Sequence, residues 1–285
     1  MSRRSLRRVL TIAGAACAIA PACTGRAQGL PAPTPLEPPP SELQFMADPI
    51  ADGATLSFAA GTAILSEAIL STGEIVPQQP QDKSRLLSID RPVVDRTPEP
   101  AWGTVSNVGL IGAATFAALD PVLTGYRIGP EAGIVDAIIY GETIFITWSL
   151  TNLAKISFRR PRPSAYESGE ITETDDALSF YSGHASITSA IGATATYLAF
   201  SRSRNTARPW ITLGVSALAA TLVGVGRVQS GKHFPTDVLA GTMVGMGVGV
   251  LVPHLHRSEG FERRPIWIGM RPVHDGAAAV AGGVF

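Results

Sequence analysis

The organisation of this chain is clearest between Lys155 and Asp237. This stretch contains three short polar clusters, KISFRRPRP at 155–163, SGH at 182–184 and RVQSGKHFPTD at 227–237. Each cluster stands at the end of an apolar segment, and apolar segments of this length are typical of helices. The pattern therefore predicts helices that converge on one polar pocket, which would hold three cations, two imidazoles and a carboxylate.

The first cluster combines a lysine with an arginine. Lys155 ends an apolar segment, and Arg162 follows in a stretch with two prolines, which cannot be helical where the prolines fall. Arginine offers a planar pair of donors suited to phosphate, whereas lysine acts as a movable point charge. The alternative is a basic collar at a membrane face that also includes Arg159 and Arg160, and the cluster taken alone favours that collar.

The second cluster lies where a helix is predicted to begin. Ser182, Gly183 and His184 would stand at the helix N-terminus, where unpaired backbone N–H groups and the helix dipole attract an anion. Glycine lets the backbone come close to a ligand. An ordinary capping serine followed by an incidental histidine is the alternative, and it is the better explanation of an isolated Ser-Gly-His.

The third cluster pairs a histidine with a carboxylate. His233 and Asp237 are four residues apart, so a helix that begins near Phe234 lets the carboxylate reach back to the imidazole. A carboxylate bonded to one ring nitrogen fixes the tautomer and makes the other nitrogen a better nucleophile. Alternatively, Asp237 is a negative charge favoured by the helix dipole.

In this order and with these spacings, the three clusters resemble the signature of the type 2 phosphatidic acid phosphatase and vanadium haloperoxidase superfamily. The resemblance covers the chain from Leu110 to Leu251. There are two departures: Tyr181 stands where the family usually has proline, and Gly226 stands where it usually has serine. Neither removes a side chain assigned to the chemistry, so they concern substrate preference more than activity.

The resemblance implies a reaction mechanism. His233 would attack phosphorus to give a phosphohistidine, with Asp237 orienting it, and His184 would protonate the leaving oxygen and later activate water. The non-bridging oxygens would be held by Lys155, Arg162, Arg227, the Ser182 hydroxyl and the Gly183 N–H. No metal and no other cofactor is implied, and the clusters contain cations in place of the carboxylate sets that Mg²⁺ and Zn²⁺ sites use.

The fold class is predicted to be all-α, a six-helix bundle of the kind found in this superfamily. No repeat of fixed period is present, which excludes solenoids and propellers. The helical segments are Asp48–Leu70, Trp102–Leu119, Ala132–Ala154, His184–Ser201, Pro209–Gly226 and Val238–His254. A long polar loop, Thr72–Pro100, separates the first two.

The helices are apolar enough to be embedded in a membrane. Only 16% of the residues are charged, and the mean hydropathy is +0.20. Four of the segments avoid acidic and basic residues over about the length that a bilayer demands. Ala132–Ala154 carries Asp136 and Glu142, and His184–Ser201 is rich in Ser, Thr and Gly. A soluble bundle with apolar inner helices is the alternative.

The two ends of the chain differ in character from the helical domain, which is predicted at 48–256. Residues 1–27 have the basic start, apolar run and small residues of an export signal cleaved after Ala27. Twin-arginine export and lipidation at Cys23 are alternatives. Residues 28–47 form a Pro-rich linker, and the tail at 257–285 is predicted to form a β-hairpin around His274-Asp275-Gly276.

These observations predict an exported, membrane-associated phosphatase on the periplasmic side, acting on a phosphorylated lipid or a small phosphomonoester. The 23 basic and 23 acidic residues cancel, so no global field favours nucleic acid as a partner. One alternative is a vanadate-dependent haloperoxidase, because the same cations would bind vanadate. Another is a non-catalytic membrane protein in which Asp136, Glu142 and the basic cluster form a transport path or a lipid head-group site.

Overall fold

A computed structural model describes residues 45–168, 178–202, 206–258, 266–273 and 276–283. The predicted signal peptide and most of the predicted linker lie outside these residues. Within them the α-helices are α1 (Ala51–Ser71), α2 (Arg91–Val94), α3 (Pro100–Arg127), α4 (Pro130–Phe158), α5 (Ala165–Ser168), α6 (Gly183–Arg202), α7 (Arg208–Gln229) and α8 (Pro235–Leu255). A 3₁₀ turn spans Lys83–Arg85 in the long loop.

Two strands follow the helices near the end of the chain. β1 (Ile266–Val273) pairs with β2 (Gly276–Gly283) in antiparallel register, so that Ile266 lies opposite Gly283. Two of the residues predicted to form the turn, His274 and Asp275, lie outside the described residues.

Each of the six predicted segments overlaps one long helix, but the predicted count of six is too low. It omits α2 and α5, which have four residues each and are too short to show helical periodicity. The predicted end of α3 at Leu119 was also wrong, because this helix continues through Pro121 to Arg127. Proline is tolerated inside a long apolar helix whose neighbours satisfy the freed backbone groups.

Helix α6 lies at the centre of the bundle and packs against α3, α4, α7 and α8. Its small polar side chains are buried; Ser186 is one, and the Thr194 hydroxyl donates to the Gly249 carbonyl at 3.0 Å. Among the described residues, the five helices long and apolar enough to cross a membrane are α1, α3, α4, α7 and α8. The polar composition of α6 therefore fits a helix shielded by its neighbours.

The outer surface of the bundle is apolar. Val108 and Ile111 on α3 are each 63% exposed, and Trp210 and Val215 on α7 are exposed to a similar degree. Polar side chains such as Asn152 are instead buried between helices. Exposed apolar surface of this extent, around a polar interior, is typical of proteins in contact with lipid. The chain is thus associated with a membrane through these helices.

Alternating helix directions bring the three polar clusters to one end of the bundle, called here the polar end. Helices α4 and α7 finish there and α6 and α8 begin there. The start of α1 and the finish of α8 meet at the opposite end, where the Met46 N–H donates to the His256 carbonyl at 2.9 Å. The site therefore lies a full helix length away from the segment that enters α1.

A row of glycines allows α8 to pack closely on α6. Gly241, Gly245 and Gly249 recur every four residues on one face of α8, so they form one stripe along the helix. A β-carbon at Gly245 would overlap the backbone carbonyl of Ser186, and one at Gly249 would overlap the carbonyl of Ala190. Small residues at this spacing let helix backbones approach each other in apolar surroundings.

Gly245→Ala is expected to destabilise the protein by about 2 kcal/mol or more, because the added methyl group meets backbone that cannot rotate away. Gly247→Ala is the matched control, since a β-carbon there meets no atom within 4 Å. Thermal unfolding in detergent should show a lower midpoint for Gly245→Ala and an unchanged or higher one for Gly247→Ala. Equal midpoints for the two variants would contradict this account of the α6–α8 contact.

Candidate active site

The first cluster is positioned by the end of α4. Lys155 lies in its last turn, and Arg159 ends the helix in a left-handed conformation, with φ of 45° and its N–H donating to the Lys155 carbonyl at 3.0 Å. Ser179 then holds the following segment: its N–H donates to the Arg160 carbonyl at 2.8 Å and its hydroxyl to the Pro161 carbonyl at 3.0 Å. These bonds join the first cluster, with buried Arg162, to the second.

The second cluster opens α6 as predicted. The Ser182 hydroxyl accepts from the Ala185 N–H at 3.4 Å, so Ser182 does cap the helix, and this bond uses a lone pair while the O–H stays able to donate. A β-carbon at Gly183 would lie 3.2 Å from the Thr151 methyl group, which leaves little room for a side chain. His184 has a partner that the sequence did not indicate: its Nε2 lies 2.9 Å from the Asn107 side-chain oxygen.

The third cluster is a tight loop between α7 and α8. The N–H groups of Lys232 and His233 both donate to the Arg227 carbonyl at 3.2 Å, and Gly231 adopts a φ of 68°, which favours glycine. His233 is 2% exposed, and its Nδ1 lies 2.7 Å from the Ser179 carbonyl. Because a carbonyl can only accept, Nδ1 carries the proton and Nε2 keeps its lone pair.

Of the two roles that the sequence allowed for Asp237, the structure has the one at the start of α8. Its carboxylate lies 3.9 Å from His233 Nδ1, beyond hydrogen-bond range, and the Ser179 carbonyl takes the position expected for it. One oxygen of Asp237 accepts from Arg160 at 2.5 Å and the other from the Phe234 N–H at 2.9 Å. The carboxylate thus fixes the start of α8 and binds Arg160.

Arg160 and Asp90 belong to the site, although the sequence analysis placed Arg160 only in a basic collar and did not single out Asp90. Arg160 donates to Asp90 at 2.9 Å as well as to Asp237, and its guanidinium lies 4.0 Å from the centre of the Phe234 ring. The fully buried Asp90 also accepts from the N–H and the hydroxyl of Thr236, at 3.1 and 2.7 Å. Nothing in the local sequence separates Asp90 from the other acidic residues of its loop.

The electrostatics of the site favour neutral histidines. The pKa of His184 is lowered to about 3. Burial is the largest cause, followed by Arg227, His233, Lys155 and Lys232. Burial, with Arg162 and Arg227, lowers the pKa of His233 to about 4, although Asp237 opposes the shift. At neutral pH the pocket therefore holds two uncharged imidazoles among cations, an arrangement that attracts an anion. Lys232 is a further cation that the sequence did not predict.

Residues 136–260 match the model of the PAP2 superfamily. This part of the chain is similar to the PAP2 superfamily. Over 115 residues the chain is 30% identical to the decaprenylphosphoryl-5-phosphoribose phosphatases of Mycobacterium tuberculosis strains CDC 1551 / Oshkosh and ATCC 25618 / H37Rv. The match covers 40% of this chain, which spans 58% of the length of those relatives.

A solved structure is also similar to the chain. It is the transmembrane PAP2 type phosphatidylglycerolphosphate phosphatase of Bacillus subtilis, with 20% sequence identity and a TM-score of 0.44. The match covers 76% of this chain and 96% of that one.

The structure explains one of the two departures from the usual motif. A β-carbon at Gly226 would lie 2.8 Å from the Trp102 carbonyl and 3.0 Å from the Ser106 side chain. Serine cannot fit where α7 crosses α3 this closely, so glycine is required. Tyr181, the second departure, is buried and packs edge-on against Phe180.

Asp90→Asn should destabilise the protein, because it removes one of the two carboxylates that bind the partly buried guanidinium of Arg160. A loss of about 2 kcal/mol is expected, against less than about 0.5 kcal/mol for Asp95→Asn. Asp95 is the matched control, since it lies in the same loop and its exposed side chain pairs only with Lys83 among the described residues. Unfolding midpoints measured in detergent check this. Equal shifts in the two variants would show that Asp90 does not stabilise the site.

Proposed function

We propose that the chain is a metal-independent phosphatase that hydrolyses a phosphate monoester or diphosphate of a lipid through a phosphohistidine at His233. The observation that carries this proposal is the state of His233: a buried, neutral imidazole whose Nδ1 proton is bound by the Ser179 carbonyl. Its Nε2 lone pair is then available for attack, beside the cations of Arg162 and Arg227.

In the first step, Nε2 of His233 attacks phosphorus and the bond to the leaving oxygen breaks. His184 gives its proton to that oxygen, so the alcohol leaves uncharged. Because His184 is neutral in the free site, the bound phosphate must bring the proton or raise the pKa of His184; its negative charge offsets the surrounding cations and supports the second route.

In the second step, His184 takes a proton from water, and the resulting hydroxide attacks phosphorus and releases His233. Lys155, Arg162 and Arg227 would hold the non-bridging oxygens in both steps, where charge must be stabilised as the phosphoryl group transfers. The Ser182 hydroxyl and the Gly183 N–H add donors at the start of α6, where the helix dipole favours the same anion.

A lipid substrate is supported by the position of the site at the end of a bundle with an apolar outer surface. A phosphate head group can reach the polar end while its chains stay beside helices such as α3 and α7. The name of the M. tuberculosis relatives specifies a decaprenylphosphoryl substrate, which also supports a phosphate carried on a long apolar chain.

The proposed location, exported with the site on the periplasmic side, is constrained by helix direction. If α1, α3, α4, α7 and α8 all span the bilayer, the segment before α1 and the polar end lie on opposite faces. A periplasmic site then requires residues 28–47 to remain on the cytoplasmic face, whereas a signal cleaved after Ala27 places them outside. A cysteine introduced at Lys83, in the loop at the polar end, in a chain whose Cys17 and Cys23 are replaced by serine distinguishes the two arrangements: labelling from outside intact cells places the site on the periplasmic side, and no labelling places it on the cytoplasmic side.

His233→Ala should abolish phosphate release, because no other group replaces the attacking nitrogen. The matched control is His254→Ala, which removes an exposed histidine at the opposite end of α8. Phosphate release from a lipid phosphate in detergent micelles and from a water-soluble phosphomonoester, with chelator present, should persist in the control. A loss of about 10³-fold or more is expected for His233→Ala.

Substantial residual activity in His233→Ala would overturn the assignment of the nucleophile. Peroxide-dependent halide oxidation by the wild-type protein, seen only with added vanadate and without phosphate release, would establish the haloperoxidase instead. Lipid binding without phosphate release would indicate a non-catalytic protein. The ion pair between Asp136 and Arg202 argues against the transport alternative, which needs Asp136 as a free carboxylate on the path.

A further inference from the structure

A second cluster of titratable side chains, each able to bind a metal ion, lies at the end of the bundle opposite the proposed active site. It consists of Asp52 in the first turn of α1, Glu142 in the middle of α4 and His256 directly after α8. One ligand atom from each lies within 4.8 Å of the other two, and all three residues are buried. His256 and Asp237 are 19 positions apart along α8, or about 28 Å in a helix.

The histidine of this cluster is oriented as metal-binding histidines usually are. His256 Nδ1 lies 2.9 Å from the Val252 carbonyl, which only accepts, so Nδ1 carries a proton. A metal-ligating imidazole almost always donates its other N–H to a carbonyl or carboxylate in this way. His256 Nε2 has no hydrogen-bond partner among the described residues and faces the two carboxylates.

The distances inside the cluster are too long for strong hydrogen bonds. His256 Nε2 lies 3.5 Å from Asp52 Oδ2 and 3.7 Å from Glu142 Oε2, whereas a charge-assisted N–H···O bond is about 2.8 Å. Two ligands that each lie about 2.1 Å from a tetrahedral metal ion are about 3.4 Å apart. The two separations that involve His256 therefore suit atoms arranged around an ion better than atoms bonded to each other.

Glu142, like His256, has a buried side-chain atom without a hydrogen-bond partner among the described residues. Its side chain is 5% exposed, and its Oε1 has no hydrogen-bond partner among the described residues. Glu67, in the same interface between α1 and α4, receives N–H donors from Trp148 at 3.0 Å and Asn152 at 2.9 Å. Among the described residues, the interface thus supplies N–H donors to Glu67 and none to Glu142, although burying an uncompensated carboxylate is unfavourable.

We propose that Asp52, Glu142 and His256 bind a divalent transition-metal ion, with Zn²⁺ as the best match. Two carboxylates carry the charge that Zn²⁺ neutralises, and one nitrogen with two oxygens is a donor set that zinc accepts, with a fourth position open to water. The ion would tie the first long helix to α4 and α8 at the end opposite the phosphate pocket. Its role is structural and does not depend on the proposed phosphatase reaction.

Zinc binding by the whole protein tests the proposal. The chain, purified in detergent without a polyhistidine tag, is stripped with chelator, dialysed against Zn²⁺ and analysed for bound metal. About one ion per chain is expected in the wild type and in His254→Ala, which removes an exposed histidine two residues away. His256→Ala should hold at least about tenfold less.

Two further measurements do not depend on the folding of His256→Ala. Glu142→Gln preserves the shape of the side chain and should also lose bound Zn²⁺, while Co²⁺ added to the stripped wild type should produce visible ligand-field absorption. Less than about 0.1 ion per chain in the wild type, or equal binding by wild type and His256→Ala, would overturn the site. That result would instead identify the cluster as a protonated histidine held between carboxylates. Phosphate release measured after chelation separates this outcome from failure of the proposed phosphatase function.

Discussion

The polar end of this protein depends on how the buried carboxylate of Asp237 is compensated. Its two oxygens bind Arg160 and the N–H of Phe234, the residue directly before α8, and its backbone carbonyl accepts from the Ser182 N–H at 3.1 Å. One residue thereby connects all three polar clusters, which are spread over more than seventy positions of sequence. Because an uncompensated buried charge is strongly destabilising, the clusters cannot separate without a large loss of stability.

Within the described part of the chain, this network leaves no carboxylate within hydrogen-bond distance of His233, since that of Asp237 lies 3.9 Å from Nδ1. Asp90 and Asp237 share Arg160, whose guanidinium partly offsets their negative charge, and the Nδ1 proton of His233 is bound by the Ser179 carbonyl. The imidazole is oriented by a neutral acceptor, while burial and neighbouring cations keep it uncharged. A site built this way maintains a net positive field for an anion and still provides a nitrogen lone pair.

The long helices could be predicted because apolar runs of about twenty residues form few structures other than buried or membrane-spanning helices. The motif residues could be placed because each lies at a helix end, where chain direction brings the ends together. Asp90, Asn107 and Lys232 could not be predicted as members of the site. Their roles come from contacts across the fold, such as the one between Asp90 and Thr236, 146 positions apart, and such contacts leave no periodic trace in the sequence. The spacing of Asp237 allowed either a hydrogen bond to His233 or a negative charge at the N-terminus of α8. Packing places the carboxylate in the second position, on the N–H of Phe234.

In the proposed reaction Nε2 of His233 receives the phosphoryl group, since Nδ1 is committed to the Ser179 carbonyl. Rapid acid-free quenching during turnover of a lipid phosphate, followed by peptide mass spectrometry and ³¹P NMR, measures this directly. We expect a phosphohistidine on His233 with phosphorus bonded to Nε2. Phosphorus on Nδ1, on His184, or on no histidine at all during active turnover would contradict it.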